Sequence, residues 1–412
     1  MKKIAVLGCG GRGQGFLEMF HAAAPKAVVG AIAEPRDDVR KQLAEKYKLS
    51  PKMVFRTWQE FVKQPKMADA VCISTMDRDH VDPALACMKL GYDMLLEKPM
   101  AVTLKDCQAI EAAQRKSKCI FGVCHSLRYI KGFTKVKEVI DSGVIGRIMS
   151  VNLTEQVAWW HQAHSFVRGN WGNESRSSFM LLAKSCHDID YLQYIIDRKC
   201  LKVSSFGSLS YFTKKNAPKG ASERCVDCPV ERTCAYSAIK QYVYGNRNHW
   251  PAASCSTDHS AEAHMEAIRT GPYGRCVYKC DNDVVDHQTV NMLFEDDITV
   301  VFTMTAFTQG GGRYMRVHGT LGEIWFEEDT VTVKTYADNN SAAIHIGSEP
   351  GGHGGGDQRI VDEWIDALYS RDDSRLVANA QESLKSHAVV FAAERSRREG
   401  KMMDMAEFSC TK

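Results

Sequence analysis

The sequence predicts an α/β chain in two parts: an N-terminal doubly wound parallel sheet, then a C-terminal α+β part with a large open, mainly antiparallel sheet. Three observations carry this. Short apolar strands alternate with helical patterns up to residue 123. Beyond that point, strands of period-two alternation succeed one another across tight polar turns. With 412 residues, 44% hydrophobic and 25% charged, the chain is long enough for two cores. The expected boundaries are 1–123 and 124–412, with an insertion at 216–273.

Charge is nearly balanced, 53 basic against 50 acidic residues and a net +3, so nothing electrostatic points to nucleic acid or an anionic membrane. No apolar run approaches membrane-spanning length. The opening "MKKIAVLGCG" imitates a signal peptide, but its apolar stretch, Ile4 to Leu7, is only four residues long. Cytoplasmic residence is expected. The fifteen cysteines are scattered, which fits reduced thiols and one metal site.

"KKIAVLGCGGRGQGF" reads as a strand, a glycine turn and a helix start. Gly8, Gly10 and Gly13 occupy the G-x-G-x-x-G positions, with Gly11 and Arg12 between them. Such a turn lets a dinucleotide pyrophosphate approach the backbone and sit on the helix N-terminus. A second strand, "AVVGAIAEP", ends in Glu34, where a carboxylate accepts hydrogen bonds from the adenosine ribose. That acid repels the extra phosphate of NADP and favours NAD. Arg36, two residues on, works the other way.

"DAVCIST" and "DMLLEKP" are the next strands, separated by the helical "HVDPALACMKLG", and "IFGVCHS" follows. Ligands of such sheets bind at the carboxyl ends of the strands. Polar groups gather there: Ser74, Thr75 and His80, then Glu97 and Lys98, then Cys124, His125 and Arg128.

The stretches "VLGCGGRGQG", "CISTMDRDHVDPALACMKLGYDMLLEKPMA" and "GVCHSLRY" resemble the dinucleotide-binding half of the glucose–fructose oxidoreductase, inositol dehydrogenase and rhizopine-catabolism (Gfo/Idh/MocA) family. Its most specific mark is "EKP" preceded by "GYDMLL". The resemblance is clear over the first 130 residues and looser beyond. It implies a Rossmann domain with bound NAD and a catalytic lysine at Lys98 beside the nicotinamide. It also implies that Glu97 positions this lysine and that a cis bond before Pro99 aims it.

In the second part, "RIMSVNLTEQVA", "LKVSSFGSLSYF", "VVDHQTVNMLFED", "ITVVFTMTAF", "RYMRVHGT" and "GEIWFEEDTVTVKTY" are the alternating segments. One face of their sheet is expected to be open for substrate and for contact between copies in a homo-oligomer. "QRIVDEWIDALYS" and "ESLKSHAVVFAAERSRRE" read as late amphipathic helices.

"LLAKSCHDIDYLQYII" carries an apolar stripe, Leu182, Cys186, Ile189, Leu192 and Ile196, and a polar one, Lys184, His187, Asp188 and Tyr191. It matches the family segment ending in H-x-x-D, whose histidine faces the substrate. The family's aspartate four residues before that histidine is Ala183 here, with Lys184 beside it. His187 and Lys184 are therefore expected in the site, and Lys184 supplies a second cation. Two cations near one pocket lower the proton affinity of at least one lysine, which suits a general base. Asp190 is read as a structural brace.

Upstream, "WWHQAHSFVRGNWGN" packs three tryptophans with histidine and arginine donors. Flat rings with interspersed donors are how sugar rings are gripped, so Trp160, His164 and Arg168 are candidate substrate contacts. "GSEPGGHGGGD", Gly347 to Asp357, is a glycine-rich loop before a helix, and His353 on it is a candidate to reach the site. "ERCVDCPVERTC" places Cys225, Cys228 and Cys234 within ten residues. A fourth ligand from "YGRCVYKC", Cys276 or Cys280, would close a tetrahedral structural zinc site. Zinc is preferred to an iron–sulfur cluster because no electron-transfer partner is evident.

The expected activity is hydride transfer between NAD and a hydroxyl-bearing carbon of a sugar, polyol or glycoside. Lys98 or His187 is the base and Lys184 holds the oxygen. The resemblance permits a variant in which transient oxidation promotes elimination, hydration and re-reduction, with net glycoside hydrolysis. A sensing protein without catalysis is the reading from another class. The intact "EKP" and the His187 helix argue against it.

Overall fold

The computed structural model describes residues 1–347, 349, 351–374 and 376–408. The first six strands are β1 (Lys2–Leu7), β2 (Ala27–Ala33), β3 (Val54–Phe55), β4 (Ala70–Ile73), β5 (Asp93–Leu96) and β6 (Phe121–Val123). They form one parallel sheet in the order β3-β2-β1-β4-β5-β6. Side chains alternate between its faces. Ile4 and Val6 enter one apolar cluster while Ala5 and Leu7 enter another, so both faces are covered. Strand order reverses between β1 and β4, which opens the crevice where a ligand sits.

The remaining strands are β7 (Ile148–Gln156), β8 (Cys200–Ser208), β9 (His287–Phe294), β10 (Thr299–Thr305), β11 (Gly312–Gly319), β12 (Gly322–Glu327), β13 (Thr330–Thr335), β14 (Asn340–His345) and β15 (Met403–Asp404). Their order is β14-β13-β12-β11-β7-β10-β9-β8-β15, antiparallel except where β7 and β10 run parallel. The expected turn "EDD" joins β9 to β10, with Asp296 and Asp297 at positive φ. "GEIWFEEDTVTVKTY" is two strands, split at Glu328, whose φ is 55°. One face packs on the Met180–Ile196 and Ala380–Glu399 helices. Across the other face runs a row in register, Val301, Asn152, Arg316 and Trp325, with the Arg316 guanidinium 4.0 Å over the Trp325 ring.

Two late helices tie the sheets together. The Gly356–Ser370 helix drives Trp364 and Ile365 into the core beside β1. The Ala380–Glu399 helix places Leu384 under the first sheet and Val389 and Val390 under the second. No helix among the described residues is long and apolar enough to cross a membrane.

Candidate active site

The glycine turn is built for close approach. Gly8 has a φ of +88°, and a Cβ there would lie 2.7 Å from the Ser74 carbonyl oxygen. A Cβ on Gly13 would lie 2.0 Å from the Gly8 carbonyl oxygen. Ser74 Oγ donates to that same Gly8 oxygen at 2.7 Å, which pins β4 to the turn. Around Gly10 and Gly11 the space is open. Glu34 ends β2 and accepts from the Cys9 backbone N–H at 2.9 Å and from Arg36 Nε at 2.7 Å. Burial works to raise its carboxyl, but the Arg36 hydrogen bonds outweigh it and hold the group below the ordinary range. A bare backbone cradle with a buried carboxylate at the end of β2 fits a dinucleotide.

Beyond β5, Glu97 accepts from the Lys98 backbone N–H at 2.8 Å and from Arg12 Nε at 2.6 Å. His80 accompanies Thr75 at the β4 end, but both ring nitrogens are spent inside the protein. Nδ1 lies 2.7 Å from the Pro99 carbonyl and Nε2 3.2 Å from that of Thr75. His80 thus braces the turn that presents Lys98. The Lys98–Pro99 bond is cis, as the resemblance implies.

Lys98 Nζ reaches into the second part and donates to the Ala183 carbonyl oxygen at 2.7 Å. This is the position where the family pattern carries an aspartate, so a backbone oxygen takes the lysine instead. The helix bearing Ala183 runs from Met180 to Ile196 and is buried on nearly every side. Its apolar stripe enters the core as expected, but its polar stripe is not solvated. Lys184 pairs with Glu155 of β7 at 2.9 Å, Asp188 pairs with Arg313 of β11, and Tyr191 donates to the Phe133 carbonyl at 2.8 Å. Arg313 also reaches Glu155 at 2.9 Å, closing a network of two cations and two carboxylates beneath His187.

His187 is buried, and its Nδ1 has no hydrogen-bond partner in the protein. Burial first, then the charges of Lys98 and Arg313, hold its imidazole well below its ordinary value. The His353 ring lies 5.8 Å from it, centroid to centroid. His353 Nδ1 sits 3.0 Å from Asp357, which also accepts from Ser126 Oγ and from both terminal nitrogens of Arg12. Hydrogen bonds from His353 and Arg12 overcome burial and keep the Asp357 carboxyl far below the usual range. Of the loop expected over Gly347 to Asp357, Ser348 and Pro350 lie outside the described residues.

Lys98, Lys184, His187 and His353 are therefore brought together. Other expected residues are not. His164 stacks on Tyr273, rings 4.6 Å apart, and bonds Tyr242 Oη through Nδ1, which is packing rather than substrate contact. Arg168 is 1% exposed and donates to the carbonyls of Arg275 and Tyr236. Arg128 was expected at the cofactor but is buried against Asp190, Nε to Oδ2 2.6 Å, and serves as a brace. Trp160 stacks on His161 and meets Trp250 edge-on.

Sequence reasoning did not select His161, Arg313 or Glu155. Burial, then the charge of Lys184, holds His161 well below its ordinary value, so its ring is near the lysines. Its signal was its place beside Trp160. The zinc site expected at Cys225, Cys228, Cys234 and Cys276 is not shown. Among the described residues, no three His, Cys, Asp or Glu side chains are grouped to hold one ion.

Similarity to known proteins agrees with this geometry. Residues 2–125 match the "Oxidoreductase family, NAD-binding Rossmann fold" model and residues 137–405 match "Oxidoreductase family, C-terminal alpha/beta domain". YteT of Bacillus subtilis, named as an oxidoreductase, is 24% identical over 360 residues, 82% of each chain. The myo-inositol 2-dehydrogenase of Thermotoga maritima is 25% identical over 183 residues, covering 44% of this chain and 52% of its own. In fold, the scyllo-inositol dehydrogenase of Lactobacillus casei, solved with NAD(H) and scyllo-inositol, superposes with a TM-score of 0.69 at 15% identity. It covers 98% of this chain and 99% of that one. With both models matched along nearly its whole length, the chain belongs to the Gfo/Idh/MocA family of oxidoreductases.

Proposed function

We propose that this protein oxidises a hydroxyl-bearing carbon of a sugar, cyclitol or glycoside, using NAD. The observation that carries the reading is the convergence of Lys98, His187, Lys184 and His353 at the carboxyl end of the first sheet. When bound, NAD supplies the hydride acceptor. Lys98 takes the hydroxyl proton as the general base. His187, neutral through physiological pH, offers its free Nδ1 to an adjacent hydroxyl, and Lys184, held by Glu155, steadies the reacting oxygen. His161 forms the wall facing the ring. Relatives named for myo-inositol and scyllo-inositol support a polyhydroxylated ring as substrate. The protein is proposed to work in the cytoplasm as a homo-oligomer joined through the open sheet face.

The test is a screen of myo-inositol, D-glucose and a nitrophenyl glucoside with NAD, following the NADH band and nitrophenol together. Net NADH supports the dehydrogenase. Nitrophenol without net NADH identifies the redox-assisted hydrolase instead. Neither signal, across the panel, counts against the reading.

Cofactor choice gives a separate expectation. NAD should bind at least about tenfold more tightly than NADP, because Glu34 faces the added phosphate. Glu34→Ala should erase that ratio. Titration against tryptophan fluorescence measures both, and equal affinities in the parent protein would mean that Arg36 governs the pocket. His187 gives another. Its imidazole, held down by burial, should contribute no limb to kcat/KM near pH 6.5, the ordinary histidine value. The His187→Gln profile should fall in height and keep its shape, and a limb that vanishes with His187 would contradict the assignment.

A further inference from the structure

We propose that Cys225, Cys228, Cys234 and Cys276 ligate a four-iron iron–sulfur cluster that staples the insertion to the second part of the chain. These four cysteines line one small cavity of about 20 Å³, together with Arg168. Local structure brings them there. Arg224 and Arg275 form an isolated antiparallel bridge, and the Cys276 N–H bonds the Glu223 carbonyl at 2.9 Å, so Cys225 and Cys276 each directly follow a bridged residue. A tight turn folds Cys228 back, its N–H on the Cys225 carbonyl at 3.3 Å. Cys280, the alternative fourth ligand, is absent from the lining and points its thiol at the Cys276 carbonyl.

Spacing selects the cluster over a single ion. The four cysteines line one cavity, yet among the described residues no three His, Cys, Asp or Glu side chains are grouped to hold one ion. A tetrahedral zinc site would bring its sulfurs within about 2.3 Å of one point. In a four-iron cluster each iron takes one cysteine, so the thiolates surround a volume rather than a point.

Charge gives the second, independent argument. Arg168 is buried at the cavity, where it donates to the carbonyls of Arg275 and Tyr236, to the Gln241 amide oxygen and to Cys225 Sγ at 3.6 Å. No carboxylate among the described residues pairs with it. A buried cation with only neutral partners is costly. A thiolate-ligated cluster, which is net negative, supplies the missing counter-charge. The Ala238 backbone N–H also points at Cys225 Sγ, at 3.5 Å, as expected for a thiolate acceptor. The need for a staple is plain from the packing. The insertion rests on two small apolar clusters, one around Phe212 and Tyr236 and the other around Tyr242 and Ile268.

The experiment is metal and sulfide analysis of full-length protein purified without oxygen. About four irons and four acid-labile sulfides per chain are expected, with broad visible absorbance. Cys276→Ser and Cys225→Ser should lose both, whereas Cys280→Ser should keep them. If the ligand variants fail to fold, the parent protein's content alone decides. One zinc per chain, iron without sulfide, or no metal with these cysteines free or joined as disulfides would each overturn the proposal.

Discussion

Lys98→Met should lower kcat by about 10²–10⁴-fold, the usual worth of a positioned acid–base group. NAD affinity should stay within a few-fold of the parent. The reason lies in how the lysine is held. Its backbone N–H is fixed by Glu97, while its Nζ crosses to the Ala183 carbonyl at 2.7 Å, about one helical turn before His187. Methionine keeps the length and packing of the side chain and removes only the group that handles the proton. The lost hydrogen bond to Ala183 costs about 1 kcal/mol of stability, too little to explain such a fall by unfolding. Turnover lowered by that factor with a melting curve shifted by no more than about 2–4 °C is the expected pair of results. Activity within a few-fold of the parent would remove Lys98 from the chemistry.

Asp190→Ala should have the largest effect on stability, about 3–5 kcal/mol. Arg128 and Asp190 are both buried, joined through two bonds of 2.6 and 2.9 Å, and Arg128 also donates to the Val377 carbonyl. The pair bolts the segment after β6 to the Met180–Ile196 helix. Truncating the acid leaves a buried cation without its charge partner. Burial works to raise the Asp190 carboxyl, but Arg128, then His125, hold it below its ordinary value. A carboxyl lowered by folding contributes stability that is complete above the unfolded value, about 3.9, and is lost as pH falls through the folded one. Acid unfolding of the parent should therefore set in below about pH 4, and Asp190→Ala should flatten that dependence. Urea titrations across pH measure both. A loss under about 1 kcal/mol at neutral pH would contradict the bracing role.

Much of the first sheet was legible because four of its six strands, β1, β2, β4 and β5, lead into a group with a chemical reason to be there: Gly8, Glu34, Ser74 and Lys98. The strands that escaped notice are the two-residue β3 and β15 and the polar, exposed β14, which carry no usable periodicity. Nor could local pattern say that Trp364 packs beside β1, since an amphipathic helix does not name the face it covers. The His187 helix was read correctly in its apolar stripe. Its polar stripe is buried because Glu155 and Arg313, distant in sequence, neutralise it.

The aromatic stretch misled for a different reason. Rings and donors have the same composition whether they grip a sugar or pack under a wall, and Gln162–Arg168 is wound as a π-helix. His164 and Arg168 there lie against the Tyr273 ring and the Tyr236 carbonyl, inside the protein. His161, just before it, keeps the site-facing position.

The central claim is hydride transfer from a ring carbon, and isotope transfer tests it most directly. The parent protein is incubated with NAD and ring-deuterated myo-inositol, glucose or nitrophenyl glucoside, and the recovered cofactor is analysed by mass spectrometry. Deuterium on recovered NADH from at least one substrate, abolished in Lys98→Met, is the predicted result of net oxidation; transient oxidation returns the deuterium to the ring and is read instead as a primary isotope effect on nitrophenol release. Saturated NAD binding with neither deuterium on the cofactor nor an isotope effect on nitrophenol release would contradict it.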